Sequence, residues 1–170
     1  MEASKFILSL LVNNESGVLT RISGLFARRG FNIDSLSVGE TVDPHISRVT
    51  ILATGDGYIR EQIVKQLEKL HDVKIVDLMD MGKTVIRELL LVKVRAAPGT
   101  RSQVLEAVTV FRAKVIDLTP TTMTMELTGE QSKLSAFIAF LEPLGIIELC
   151  RTGVTAIGRG DYVLTDNKEE

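Results

Sequence analysis

The sequence predicts an α+β fold made of two ferredoxin-like βαββαβ domains. Strand-like and helix-like hydrophobic spacings alternate in that order, and the order runs through the chain twice. Matching fragments support a duplication: Lys74-Ile75-Val76-Asp77-Leu78 recurs 71 residues later as Gly145-Ile146-Ile147-Glu148-Leu149, and Ile33-Asp34 recurs 83 residues later as Ile116-Asp117. The unequal offsets imply a shorter hairpin region in the second copy.

Lys5 to Val12 is mostly apolar and suits a strand with a well-buried face. The turn segment Asn13-Asn14-Glu15-Ser16-Gly17 follows. Val18, Ile22, Leu25, Phe26 and Arg29 then recur at helical spacing, and Gly30 can close the helix in a left-handed conformation. Ile33 to Val38 reads as a second strand with two unlike faces. A turn at Val42 to His45 leads into the β-rich run Arg48 to Leu52. Ile59, Ile63, Leu67 and Leu70 mark a second helix, and Val73 to Met79 a fourth strand.

The second copy begins with the apolar strand Thr84 to Val94 and a turn at Pro98-Gly99-Thr100. Val104, Leu105, Val108 and Phe111 supply a helical stripe, and Lys114 to Leu118 a strand. Pro120-Thr121 turns the chain into Met123 to Leu127. Leu134, Phe137, Ile138 and Leu141 form the last helical face, stopped by Pro143 and Gly145 before the strand Ile146 to Leu149. The expected boundaries are residues 1–81 for the first domain, 82–160 for the second and 161–170 for a polar tail. Units of this size expose much surface, and small sheets leave edges to be covered, so dimerisation or pairing of domains is expected.

Twenty basic residues face 22 acidic ones, a balance that gives no electrostatic reason to seek nucleic acid or an anionic membrane. The aromatic groups are mainly six phenylalanines set among apolar neighbours, which suit a core better than base stacking. Cys150 has no second cysteine to pair with. The start, MEASKFILSLLV, lacks a basic region and cleavage site, and every apolar run is interrupted by polar residues. A cytoplasmic location, with no membrane span, is expected.

The chemistry of catalysis is missing. His45 and His71 lack nearby ligands spaced for zinc, and nothing marks Asp34 and Asp77 as an acid/base pair. No GxSxG elbow or phosphate-cradling glycine motif occurs, and Gly158-Arg159-Gly160-Asp161 reads as a surface turn.

The polar turn at Asn13 to Gly17 has two explanations. In one, Ser16 or Asn14 caps the following helix and Gly17 relieves a crowded turn. In the other, the first-turn N–H groups receive a carboxylate and the Asn14 amide meets an ammonium. Asn32, beyond the far end of the helix, would face an adjacent subunit, and Leu19 and Ile33 would add apolar surface. Such a pocket would select a small zwitterion with an aliphatic side chain.

Asn14-Glu15-Ser16-Gly17-Val18-Leu19, Arg21, Gly24-Leu25-Phe26, Arg29-Gly30-Phe31-Asn32-Ile33 and Ser35-Leu36 resemble the first ACT domain of the small, regulatory subunit of acetolactate synthase, also called acetohydroxyacid synthase. Ser47-Arg48, Glu61-Gln62-Ile63, Arg87-Glu88-Leu89, Phe111-Arg112-Ala113, Ile116-Asp117-Leu118-Thr119-Pro120 and Arg151-Thr152-Gly153-Val154 extend the resemblance over essentially residues 4–162. It implies a non-catalytic homodimer, paired through its N-terminal ACT domains, that activates a large catalytic subunit. It also implies feedback inhibition by a branched-chain amino acid, most often valine. No cofactor is expected in this chain; thiamine diphosphate, Mg2+ and FAD are expected in the large subunit. That enzyme opens the route to valine, leucine and isoleucine. The matching effector positions are Asn14, Gly17 and Asn32, with Glu15, Ser16, Val18, Leu19 and Ile33 as neighbours. A free-standing amino-acid sensor and a scaffold without a ligand are the alternatives.

Overall fold

A computed structural model describes residues 3–165. Two compact units form: one holds the chain up to Val85 together with the chain from Val154 onward, the other holds Ile86–Gly153.

In the first unit the order is β1 (Ser4–Asn13), α1 (Val18–Arg28), β2 (Ile33–Glu40), β3 (Ile46–Gly55), α2 (Gly57–Leu67) and β4 (Val73–Leu78). The strands form one antiparallel sheet in the order β2-β3-β1-β4. Alternation along β1 sends Phe6, Leu8, Leu10 and Val12 into a core with Val18, Ile22, Leu25 and Phe26 of α1 and Ile63 and Leu67 of α2. Each fully buried aliphatic side chain there contributes about 2 kcal/mol. Asp56 caps α2, its Oδ1 accepting from the Ile59 N–H at 2.9 Å. Gly30, at φ +69°, follows the end of α1.

The other face of this sheet is also dry. Ile7, Ser9, Thr50 and Leu52 are all buried. The segment that holds Val154, Ala156 and the short strand β9 (Thr155–Gly158) bonds to that face. The Ser37 hydroxyl donates to the Val154 carbonyl at 2.8 Å, and the Val154 N–H donates to Ser35 Oγ at 3.3 Å. Arg48 donates through Nε to Ser9 Oγ and through Nη2 to the Ala156 carbonyl, both at 3.0 Å. Burial lowers the Arg48 pKa from its ordinary value, while the Asp77 carboxylate opposes that shift. Tyr162 donates its hydroxyl to Asp77 Oδ2 at 2.6 Å.

This return corrects the expected boundaries. Residues 154–160 cluster with the first unit, where Ser35, Ser37 and Arg48 bond the backbone of Val154 and Ala156. Within the anticipated tail, 161–170, Tyr162 is hydrogen-bonded and Leu164 buried; the last five positions, 166–170, lie outside the described residues. The expected joint at Met81-Gly82-Lys83 is a short 3-10 turn, with Asp80 Oδ1 accepting from the Gly82 N–H at 2.9 Å.

The second unit takes up β5 (Thr84–Arg95) from Ile86, then α3 (Arg101–Phe111), β6 (Lys114–Leu118), β7 (Thr122–Gly129), α4 (Gln131–Gly145) and β8 (Ile146–Arg151). Its sheet order β6-β7-β5-β8 repeats that of the first. Leu90, Val92, Val94, Met123, Met125, Leu127, Leu134, Phe137 and Leu141 form its core, with the Phe111 ring tilted against Phe137 at 5.1 Å between centroids.

Two details differ from the sequence reading. Leu105 is 44% exposed, and the α3 stripe instead buries Val104 and Ala107. Pro143 lies inside α4 and does not stop it. A proline removes a single N–H bond, whereas Gly145, at φ +93°, turns the chain into β8. Gly145→Ala should cost about 1 kcal/mol in a urea titration, because an L-residue resists that φ. The new Cβ would lie 3.4 Å from Cδ of the flexible Arg95 side chain, so the backbone conformation carries the cost.

Candidate functional site

The loop between β1 and α1 is held from three sides. The Asn13 N–H donates to the Asp72 carbonyl and the Asn14 N–H to the His45 carbonyl, each at 2.8 Å. Asn14 Nδ2 donates to Glu40 Oε1 at 3.1 Å and to the Pro44 carbonyl at 2.9 Å. Both partners are acceptors, so the amide orientation is settled by them and Oδ1 is left to accept from elsewhere. Asn14 therefore already uses its donor within the chain; its remaining capacity suits an ammonium group.

Gly17, at φ +86° and ψ −12°, directs the chain into α1. No side chain caps this helix, and its first turn carries no acid. The capping expected of Ser16 or Asn14 is thus absent: Ser16 stands exposed in the turn, and Asn14 is drawn toward the β2–β3 hairpin. The Val18 N–H reaches only the Glu15 carbonyl, at 3.5 Å. An uncapped helix start favours negative charge.

A cation completes this end. Arg21, four residues after Gly17, donates its backbone N–H to the Gly17 carbonyl at 3.0 Å. Its Nε donates to Asp72 Oδ2 at 2.6 Å, which holds the guanidinium in place. A Cβ built on Gly17 would lie 2.9 Å from Arg21 Nη1. Arg21 carries no chemical signature in the sequence beyond the family resemblance; its position one helical turn after Gly17 is the available signal. Glu40 and Pro44, which orient Asn14, were also missed. Their contact is made across the hairpin and has no local signature.

The other candidates divide into two groups. Glu15, Ser16 and Leu19 are exposed beside Asn14 and Gly17. Val18 is only 3% exposed and belongs to the core, and Ile33 packs against that core. Asn32 is exposed at the entry to β2, where its Nδ2 donates to Asp34 Oδ1 at 2.8 Å. Asp34 Oδ2 in turn accepts from the Thr54 hydroxyl at 2.6 Å. The 11 residues of α1, about 16 Å at 1.5 Å each, separate Gly17 from Asn32. One chain does not join the two asparagines.

Among the described residues no group of three His, Cys, Asp or Glu side chains is placed to hold a metal ion. No described helix is long and apolar enough to cross a membrane.

Comparison with known proteins covers both units. Residues 8–74 match the family described as the AHAS small subunit-like ACT domain, and residues 87–160 match the small subunit of acetolactate synthase. The chain is 47% identical over 165 residues to a probable acetolactate synthase small subunit of Methanothermobacter thermautotrophicus, covering 96% of this chain and 98% of that one. It is 46% identical to the isozyme 3 small subunit of Salmonella typhimurium, over 93% of this chain and 98% of that one. The crystal structure of the acetolactate synthase small subunit from Thermotoga maritima superposes with a TM-score of 0.87 at 39% identity, over 94% of this chain and 99% of that one.

Proposed function

The chain belongs to the family of acetolactate synthase small subunits, and on that premise we propose that it activates a large catalytic subunit and makes it sensitive to a branched-chain amino acid, valine first. It is a non-catalytic regulatory subunit with an ACT-like N-terminal domain. Thiamine diphosphate, Mg2+ and FAD belong to the large subunit in this reading, and the complex works in the cytoplasm.

The observation that carries the effector assignment is the α1 start. Uncapped N–H groups, the Arg21 guanidinium and the acceptor atom of Asn14 offer a carboxylate and an ammonium their separate partners. Leu19, 43% exposed, supplies apolar surface for the side chain. Glu15 and Ser16 edge the site; Val18 and Ile33 support it from the core.

A homodimer brings in Asn32. The strand it enters, β2, is an edge of its sheet, and Leu36 and Val38 on it are 36% and 43% exposed. Pairing two copies along that edge covers both side chains and carries Asn32 toward the partner's α1. Asn32→Ala should then weaken valine inhibition about tenfold, the effect of losing one hydrogen bond to a charged group. An unchanged inhibition midpoint would remove Asn32 from the site.

Coupling to the enzyme requires that valine bind two states of the complex unequally. The test is acetolactate formation by a cognate large subunit, with and without this chain, across a valine titration. Stimulation that valine then suppresses is the expected result. Stimulation without suppression would refute valine as effector, and no stimulation by an active, soluble large subunit would refute the regulatory role.

A further inference from the structure

We propose that the first unit carries a second small-molecule site, between the 3-10 turn at Met81–Lys83 and the returning chain at Gly158–Tyr162, for a small organic anion with an apolar group. A cavity of about 520 Å³ lies there, within the range of ligand pockets. Its lining includes Asp77, Met79, Asp80, Lys83, Arg159 and Tyr162, all of one unit.

The hydrogen-bonding groups left unspent decide the ligand class. Asp80 spends Oδ1 on the Gly82 N–H, and Asp77 accepts from the Tyr162 hydroxyl while its charge is felt by the half-buried Arg48. Among the described residues, by contrast, the side chains of Lys83 and Arg159 enter no ion pair or hydrogen bond. The two acids and two cations of the lining balance in charge, but both acids already accept hydrogen bonds while the Lys83 and Arg159 donors are unspent. The groups left for a ligand are therefore cationic donors that suit an anion. Leu78, which also lines it, is 44% exposed and, with Met79, offers apolar surface.

The walls are held before any ligand arrives. The Arg159 N–H donates to the Lys83 carbonyl at 2.8 Å, which ties the two segments together. A Cβ on Gly158 would lie 2.2 Å from Tyr162 Cδ1, so the ring rests on the glycine and frames one side. Such preorganisation lowers the ordering cost of binding. The site is separate from the α1 start, whose ligand groups come from the β1–α1 loop and Arg21. Its two segments are those by which the chain leaves the first unit and re-enters it.

Amide NMR of the full chain tests this with three probes: isobutyrate, isobutyl phosphate and the neutral isobutyramide. Saturable shifts at Gly82, Thr84, Gly158 and Gly160 with either anion, and not with the amide, are expected. The tighter of the two anions identifies a carboxylate or a phosphate ester as the natural class. Lys83→Gln and Arg159→Gln, with spectra otherwise unchanged, should each weaken binding about tenfold. Gly17→Asp should leave it as in the wild type, because any isobutyrate bound at α1 shifts different amides. The proposal fails if neither anion shifts these amides, if isobutyramide binds equally, or if both glutamine variants bind like wild type.

Discussion

Valine inhibition of the reconstituted enzyme is expected to vanish in Gly17→Asp, with the inhibition midpoint raised at least about tenfold. The substitution places a carboxylate against the uncapped start of α1 and beside Arg21, where the carboxylate of the effector belongs. The variant supplies its own anion to the site, and the like charge repels the incoming one. The fold should survive. A left-handed φ of +86° costs an aspartate about 1 kcal/mol, and the atom met by the new Cβ is the end of the flexible Arg21 side chain. Gly17→Ala separates the two effects, since it carries the same backbone strain without the charge. If Gly17→Ala keeps most of the inhibition and Gly17→Asp loses it, charge is the cause. Full inhibition of Gly17→Asp by valine would move the effector site elsewhere.

Arg151→Met should produce the largest loss of stability, about 3 kcal/mol in a urea titration followed by circular dichroism. In the second unit Glu88 is only 3% exposed, and both its oxygens accept from Arg151: Nε to Oε1 at 2.8 Å and Nη2 to Oε2 at 2.7 Å. The same hydrogen bonds raise the Arg151 pKa above its ordinary value. Removing the guanidinium leaves a buried carboxylate without its partner, which costs more than the pair itself contributes. The double variant Glu88→Leu with Arg151→Met removes both charges and should recover most of the loss. A loss below about 1 kcal/mol in the single variant would mean that water reaches Glu88 in the folded chain. Because the pair belongs wholly to the second unit, the transition should report that unit even if the two do not melt together.

Much of the architecture was legible in the sequence, for a local reason. The spacing of Val18, Ile22, Leu25 and Phe26 is a helical period, and all four are buried on α1. Alternation along β1 places Phe6, Leu8, Leu10 and Val12 on one face, and the paired strands obey the same period. A pattern set by one turn of helix or one pleat of strand is written in neighbouring residues. Where two local signals competed, spacing alone could not rank them, as at Pro143 and Gly145. Leu105 shows the same limit, since Val104 and Ala107 describe an equally regular stripe.

The candidate site was legible in part. Asn14 and Gly17 stand beside a helix start and were found by their chemistry, while Arg21 needed the left-handed turn at Gly17 to be placed over it. Val18 was close in sequence, yet the helix phase turns it into the core.

By itself the sequence determined the order of elements, their repetition, the absence of catalytic motifs and the family. Only the tertiary structure decided that Asn14 is oriented by Glu40 and Pro44, that side chains of β2 and β3 bond the chain at Val154 and Ala156, and that Lys83 and Arg159 border one cavity. Each of these joins residues separated by 26 or more positions, through polar groups that carry no period. A hydrophobic face is repeated and so can be read along the chain; a single hydrogen bond between distant residues is specified only when folding brings its donor and acceptor together.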